Sequence, residues 1–292
     1  MKKNKVIDFQ TMMTTKIGAS FPKAAKKFIE KQFKHEIPYY QTEEEMIEVF
    51  NKANIKAILM PPTGDSFKFE KIRKINDYVG KLISKYPDTI LGAWVMTNLS
   101  NQPEEWLKET RRCIVDLNFF GPWHYGAMTN IPATSPVLKP FYDLCIENKV
   151  PIKISVGSTA VGAGLPGGAG FKLEYERPIP YIDNVAAENP ELIIVCAHMP
   201  WPFHAEMASV LIHKGNVYNE VHGWRPIYFP DDFKKEINGR CKNKILFGSD
   251  WPILGYEQLY KDWESENYKE EVLENIYYKN AQRLFHKLNR NI

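Results

Sequence analysis

Cysteine is scarce and dispersed in this chain. Four occur among 292 residues, Cys113, Cys145, Cys196 and Cys241, and no two form a Cys-x-x-Cys pair. That spacing excludes a disulfide-stapled scaffold and a thiolate zinc site, and it predicts reduced thiols in a cytosolic protein. A run of about 20 apolar residues is missing, so no segment is expected to span a membrane. After Met1-Lys-Lys-Asn-Lys5 a strand pattern begins where a secreted chain would carry an apolar signal core. An excess of one charge is missing too. The 38 Lys and Arg against 35 Asp and Glu leave a formal +3, too close to balance to suggest a nucleic-acid partner. The one dense basic stretch, Lys23 to Lys34, has the periodicity of a solvated helix face. Neither Gly-x-Gly-x-x-Gly nor Gly-Lys-Ser/Thr accompanies the glycines between Gly157 and Gly170, which removes the nucleotide-binding loops. No Pro/Gly-rich linker divides the chain.

What is present is strand and helix patterns in alternation. Strands are read at Lys5 to Thr11, Lys56 to Met60, Ile90 to Met96, Phe119 to Tyr125, Pro151 to Val156, Leu192 to His198, Val217 to His222 and Ile245 to Asp250. Helical spacing separates them, for example Ile72, Ile75, Val79, Leu82 and Ile83. Thr42-Glu-Glu-Glu45 has the form of a capping box opening another helix. Tyr268 to Leu288 closes the chain with helical periodicity. Eight such units without a linker predict an α/β fold, a single (β/α)8 TIM barrel spanning 1–292. An insert covers about 13–41. The Gly-rich stretch 157–172 is a candidate lid at a strand end, or a plain surface excursion.

The most informative stretch is Lys244-Ile-Leu-Phe-Gly-Ser-Asp-Trp-Pro252. It reads as a buried strand that delivers one acid, Asp250, at its C-terminal end. In a parallel barrel the C-terminal strand ends form the rim where chemistry sits. A carboxylate there is costly unless paired, protonated or used.

Val6-Ile-Asp-Phe-Gln-Thr-Met12, Ile193-Ile-Val-Cys-Ala-His198, Asn216-Val-Tyr and Ile245-Leu-Phe-Gly-Ser-Asp250 together resemble the amidohydrolase superfamily. The likeness is to its "amidohydrolase 2" branch of hydrolases and metal-dependent decarboxylases, and it covers essentially the whole chain. In that family strand one ends in His-x-His, strands five and six each carry a His, and strand eight an Asp. A metal there activates water or polarises the substrate, and the Asp moves the proton. Here the first pair falls on Gln10 and Met12, and the strand-five position on Ser155. Only His198 and Asp250 match. A usual site needs about three protein ligands plus water, and Gln, Ser and Met suit a hard divalent ion poorly. No cofactor is therefore expected. The alternative is zinc or manganese at a relocated site, His198 and Asp250 joined by His124 or His222.

Alternation would place Lys153 with Ser155, Cys196 with His198, and Asp8 with Gln10 on common faces. Lys153 has three readings: an interior ion pair, with Asp8 as one candidate partner; a fixed positive charge where the family keeps a metal; or a Schiff-base amine. Trp123, Trp201, Trp224 and Trp251 sit at or just past strand ends and, with Tyr125, suggest a flat apolar pocket for a planar small molecule. Arg225 is either a bidentate carboxylate clamp or an ordinary surface arginine. The expectation is a hydrolase of a small carboxylated or cyclic compound, a lactone or amide, with Asp250 as general base and His198 as acid or electrophile. Its rivals are a decarboxylase or hydratase and a non-catalytic binding protein. A homodimer is the commonest assembly for such a chain.

Overall fold

The computed structural model describes residues 5–15, 26–27, 30–31, 36–61, 68–97, 99, 102–158, 160–290 and 292. The basic helix expected near Phe21 to Lys34 lies largely outside them. Eight strands, β1 (Val6–Met12), β2 (Ile55–Met60), β3 (Ile90–Met96), β4 (Gly121–His124), β5 (Ile152–Ser155), β6 (Ile194–Ala197), β7 (Val217–Glu220) and β8 (Ile245–Leu246), pair in parallel in sequence order. The last meets the first through Phe9 N–H to Phe247 C=O at 3.0 Å, Asp250 N–H to Gln10 C=O at 2.9 Å and Met12 N–H to Trp251 C=O at 2.8 Å. This is the (β/α)8 barrel that the alternating patterns predict.

Local chemistry sets the helices. Thr42 Oγ1 accepts from Glu45 N–H, and the Glu45 carboxylate accepts from Thr42 N–H, so the capping box opens the helix Glu43–Lys52. The periodic segment at Phe69–Lys85 is one continuous helix. A helix at Tyr256–Ser265 escaped the sequence reading. Its buried positions are mostly aromatic, a type that is only moderately helix-forming in isolation. No helix among the described residues is long and apolar enough to cross a membrane.

Two apolar layers hold the barrel. Outside the sheet, residues such as Ala57, Leu59, Ile152, Ile154 and Cys196 pack against the helices. Inside it, Ile7, Phe9, Ile58, Trp94, Phe120 and Leu246 fill the axis. Phe285, from the C-terminal helix Asn280–Lys287, closes the bottom by stacking on Phe120 at 5.0 Å and meeting Phe9 edge-on at 6.4 Å. Because Ile7 and Phe9 point inward, Asp8 points outward, which corrects its expected place on the axis. It joins β1 to β8, accepting from Ser249 N–H at 3.0 Å and from the Tyr256 hydroxyl at 3.0 Å.

Truncating the plug should leave a cavity that rigid strands cannot collapse. Phe285→Ala is expected to cost about 3–5 kcal/mol in urea denaturation, with the m-value unchanged. A loss below about 1 kcal/mol would show that the bottom of the barrel is not packed as described.

Candidate active site

The floor of the site is an ion pair. Lys153 is fully buried on the axis side of β5. Its Nζ lies 2.5 Å from Glu220 Oε1, donates to Gln10 Oε1 at 2.7 Å, and approaches Phe9 C=O at 3.3 Å. The ammonium also sits over the Trp123 ring at 4.3 Å and the Trp94 ring at 5.0 Å. Register explains the partner. Lys153 aligns with Val195, and Val195 with Tyr218, so Glu220 stands one layer nearer the rim. The long lysine stem climbs that layer. Glu220 then binds His222: its oxygens lie 2.6 and 2.7 Å from Nδ1, and Oε2 accepts the His222 backbone N–H at 3.2 Å. Burial is the chief influence on all three groups. It raises the Glu220 carboxyl and lowers Lys153 and His222.

Two backbone irregularities bring the next layer to the axis. In β6, Val195 and Ala197 face inward and Cys196 outward, so strict alternation would send His198 outward. Instead His198 adopts φ +77°, uncommon for a non-glycine residue, and its ring lies 4.2 Å from that of His222 and 5.6 Å from that of Tyr125. Asn219 holds the turn, donating from Nδ2 to the carbonyls of Cys196 and His198, each at 3.0 Å. In β1 a register shift between Asp8 and Thr11 lets Gln10 reach Lys153 although Phe9 already fills the axis.

Asp250 also has positive φ, +58°, and its Oδ1 accepts from Gln10 Nε2 at 3.4 Å. His198 and Asp250 are partly exposed, whereas His222, Glu220 and Lys153 beneath them are buried. Burial, with help from the negative Glu220, pushes the Asp250 carboxyl up to about 7. Burial likewise drives His198 well below its ordinary range, so its imidazole is neutral at pH 7.

The sequence-predicted residues divide accordingly. Asp250, His198, His222, Gln10, Trp123, Tyr125, Lys153 and Ser155 converge. Trp123 donates from its indole N–H to Ser155 Oγ at 2.8 Å and stacks on Tyr125 with ring centres 6.0 Å apart. Met12 is buried in the inner apolar layer. His124 does not converge. It lies on the opposite side of β4 from Trp123, with Nε2 on Ile131 C=O at 2.8 Å, and burial takes it down to about 4. Trp251 turns away from Asp250 into the outer layer, parallel to Tyr256 at 6.0 Å and against Phe50 at 5.0 Å. Trp201 and Trp224 form a separate pair with centres 6.1 Å apart, and Trp201 is exposed. The four tryptophans therefore do not line one pocket. Arg225 is committed to Asp262 through Nε at 2.6 Å and Nη2 at 2.8 Å, and is not an open clamp. Lys153 pairs with Glu220, not Asp8.

Glu220 belongs to the site as well, although no family position marks it. Its signal was the spacing Tyr218-x-Glu220-x-His222, three residues on one strand face. Gly248, just past β8, makes room for it: a Cβ there would lie 2.3 Å from Glu220 Oε2. The segment after β5 lies on the same end of the barrel as the site. Ser158 N–H reaches Trp201 C=O at 2.6 Å, and Glu176 Oε1 accepts Ala127 N–H at 2.6 Å. It carries helical turns at Pro166–Gly170 and Leu173–Glu176, so it is more structured than a bare glycine loop. Among the described residues no group of three or more His, Cys, Asp or Glu side chains could hold a metal ion.

The sequence matches the family described as amidohydrolase over residues 60–287. No curated protein matches it. Solved structures share the fold at low identity. An uncharacterised TIM-barrel protein of Bordetella bronchiseptica is 21% identical with a TM-score of 0.78, over 98% of this chain and 100% of that one. A dihydroxybenzoic acid decarboxylase of Polaromonas, solved with bound manganese and the inhibitor 2-nitroresorcinol, is 15% identical with a TM-score of 0.68, over 99% and 98%. A probable 2-pyrone-4,6-dicarboxylic acid hydrolase of Acinetobacter baumannii, with citric acid bound, is 14% identical with a TM-score of 0.59, over 97% and 100%.

Removing one member of the floor pair should be worse than removing both. Lys153→Met leaves Glu220 buried without its counter-charge and is expected to cost about 3–5 kcal/mol in denaturant unfolding. Lys153→Met/Glu220→Gln should recover part of that loss. Simple additivity of the two single variants would show that the charges are not coupled.

Proposed function

The chain belongs to the amidohydrolase family, and on that premise we propose that it hydrolyses a small carboxylated or cyclic compound, a lactone or amide, without a divalent metal. The observation that carries this reading is that Asp250 and His198, each at the end of its strand, both stand by the buried Lys153–Glu220 pair, Asp250 through Gln10 and His198 through His222. Both residues are partly exposed, and burial raises the Asp250 carboxyl to about 7. As a carboxylate it takes a proton from water, whose oxygen then bonds to the substrate carbonyl carbon. Neutral His198 polarises the carbonyl oxygen. The ring C–O or C–N bond breaks, and the departing atom recovers the proton from Asp250. Trp123 and Tyr125 offer planar surface beside the reacting group.

The donor set does not fit the family's metal. Gln10 Oε1 holds the Lys153 ammonium, and a second cation at that oxygen would meet like charge. Ser155 Oγ accepts the Trp123 indole, and His124 faces away, which leaves only the His222 form of the relocated site; His198, His222 and Asp250 do not form a group of metal-ligating side chains among the described residues. Lys153 acts here as a structural ion pair. Its charge is matched by Glu220, and its nitrogen is too enclosed to attack a carbonyl. A lyase is the second reading. The same carboxyl, raised to about 7 by burial, would in its protonated form deliver a proton to a ring carbon as carbon dioxide leaves.

Purified protein should be screened against carboxylated lactones, cyclic amides and aromatic acids, with and without chelator. The expected activity resists chelation and rises with pH through about 7, because the base must be ionised. Asp250→Asn should lower kcat by roughly 10²–10⁴-fold and abolish that limb of the profile. Near-stoichiometric zinc or manganese, lost in Asp250→Ala, would overturn the metal-free reading. Release of carbon dioxide in place of a ring-opened acid would select the lyase.

A further inference from the structure

Glu220 and His222 are not used by the steps above, yet Lys153, Trp123, His198 and Gly248 are all arranged around them. We propose that His222 reads the substrate as a hydrogen-bond acceptor at Nε2, that Glu220 is the residue positioning it, and that the substrate therefore carries an O–H or N–H on its ring. This rests on the enzymatic reading of the site and deepens it to a class of substrate.

Glu220 receives Lys153 Nζ at 2.5 Å and the His222 backbone N–H at 3.2 Å, and it lies 2.6 Å from His222 Nδ1. A carboxylate surrounded by donors is an acceptor only. Nδ1 must then carry the imidazole proton, which leaves the lone pair on Nε2. No protein group bonds Nε2 among the described residues, whereas Nδ1 is held between two oxygens. The ring cannot turn over without losing Glu220. It is confined by His198 at 4.2 Å and by the Trp123 ring, perpendicular to it at 6.0 Å. Gly248 keeps the arrangement sterically open, since a Cβ would lie 2.3 Å from Glu220 Oε2 and 2.9 Å from His222 Cβ. A covered acceptor left without a donor is penalised, so a ligand offering only an ether oxygen at that point should bind on the order of tenfold or more weakly.

The test is nuclear magnetic resonance of protein labelled with ¹⁵N-histidine, the His222 signals being assigned by their loss in His222→Gln. The native protein is expected to show His222 protonated at Nδ1 and bare at Nε2. Glu220→Gln should shift it toward the opposite tautomer, because Lys153 claims the amide oxygen and the amide N–H faces the ring. Gly248→Ala, which displaces the carboxylate while keeping it, should do the same. A native His222 protonated at Nε2 overturns the proposal whatever the variants do. In the second arm, 2-hydroxybenzoate and 2-methoxybenzoate are titrated into the native protein. The hydroxyl compound should perturb His222 Nε2 and bind at least tenfold more tightly. Equal responses, including none from either, overturn the substrate class. The tautomer is read without turnover, so it stands or falls separately from the hydrolytic reading.

Discussion

The buried contact between Lys153 and Glu220 constrains everything above it. Neither charge is tolerable alone on the axis of a barrel, so each requires the other and a shell of acceptors or donors. Gln10 and Phe9 complete the shell of the ammonium, and His222 completes that of the carboxylate. Trp94 and Trp123 offer ring faces to the cation while filling space that water would otherwise enter. Below the pair the axis is apolar and plugged by Phe285. Above it the polar residues become progressively more exposed. The pair thus marks the boundary between the part of the barrel that provides stability and the part that can meet a ligand.

The reactive layer stands on that floor by departing from regular strand geometry. His198 turns inward through a positive φ, and the bulge in β1 brings Gln10 in beside Phe9. Such conformations cost about 1–3 kcal/mol each and persist where surrounding contacts over-determine them. Here the contacts are identifiable: Asn219 fastens the carbonyl of His198, while Asp8 fastens β1 to β8 through Ser249 and Tyr256. Asp8 and Asn219 bond only to neighbouring strand ends and Tyr256, but the placement of Gln10, Asp250 and His198 depends on them.

The proposed metal-free chemistry rests on the side chains of the rim and not on the fold. The fold is shared along nearly the full chain with proteins that include a decarboxylase solved with manganese. In this chain Gln10 is committed to an ammonium and Ser155 to an indole. A barrel separates these matters physically. Its layered core fixes the backbone, and a few residues on the rim fix the chemistry, so the second can change while the first is kept.

The sequence by itself determined the barrel, because eight strand patterns with intervening helical periodicity admit few other closed arrangements. It also determined that Asp250 and His198 stand at C-terminal strand ends, since each closes an apolar run. What it could not determine was which way those side chains turn. Alternation is a local rule of period two, and it holds for Lys153, Ser155, Glu220 and His222. It fails at His198 and Gln10, where one positive φ and one bulge reset the facing. The choice of partner was equally hidden. Glu220 over Asp8 for Lys153, and Asp262 for Arg225, follow from register across strands and from the helix Tyr256–Ser265 packing beside the rim. Trp251 and His124 looked like pocket residues because they adjoin strand ends. Only closure of the barrel showed that they face the helices, since inside and outside have no meaning until the eighth strand meets the first.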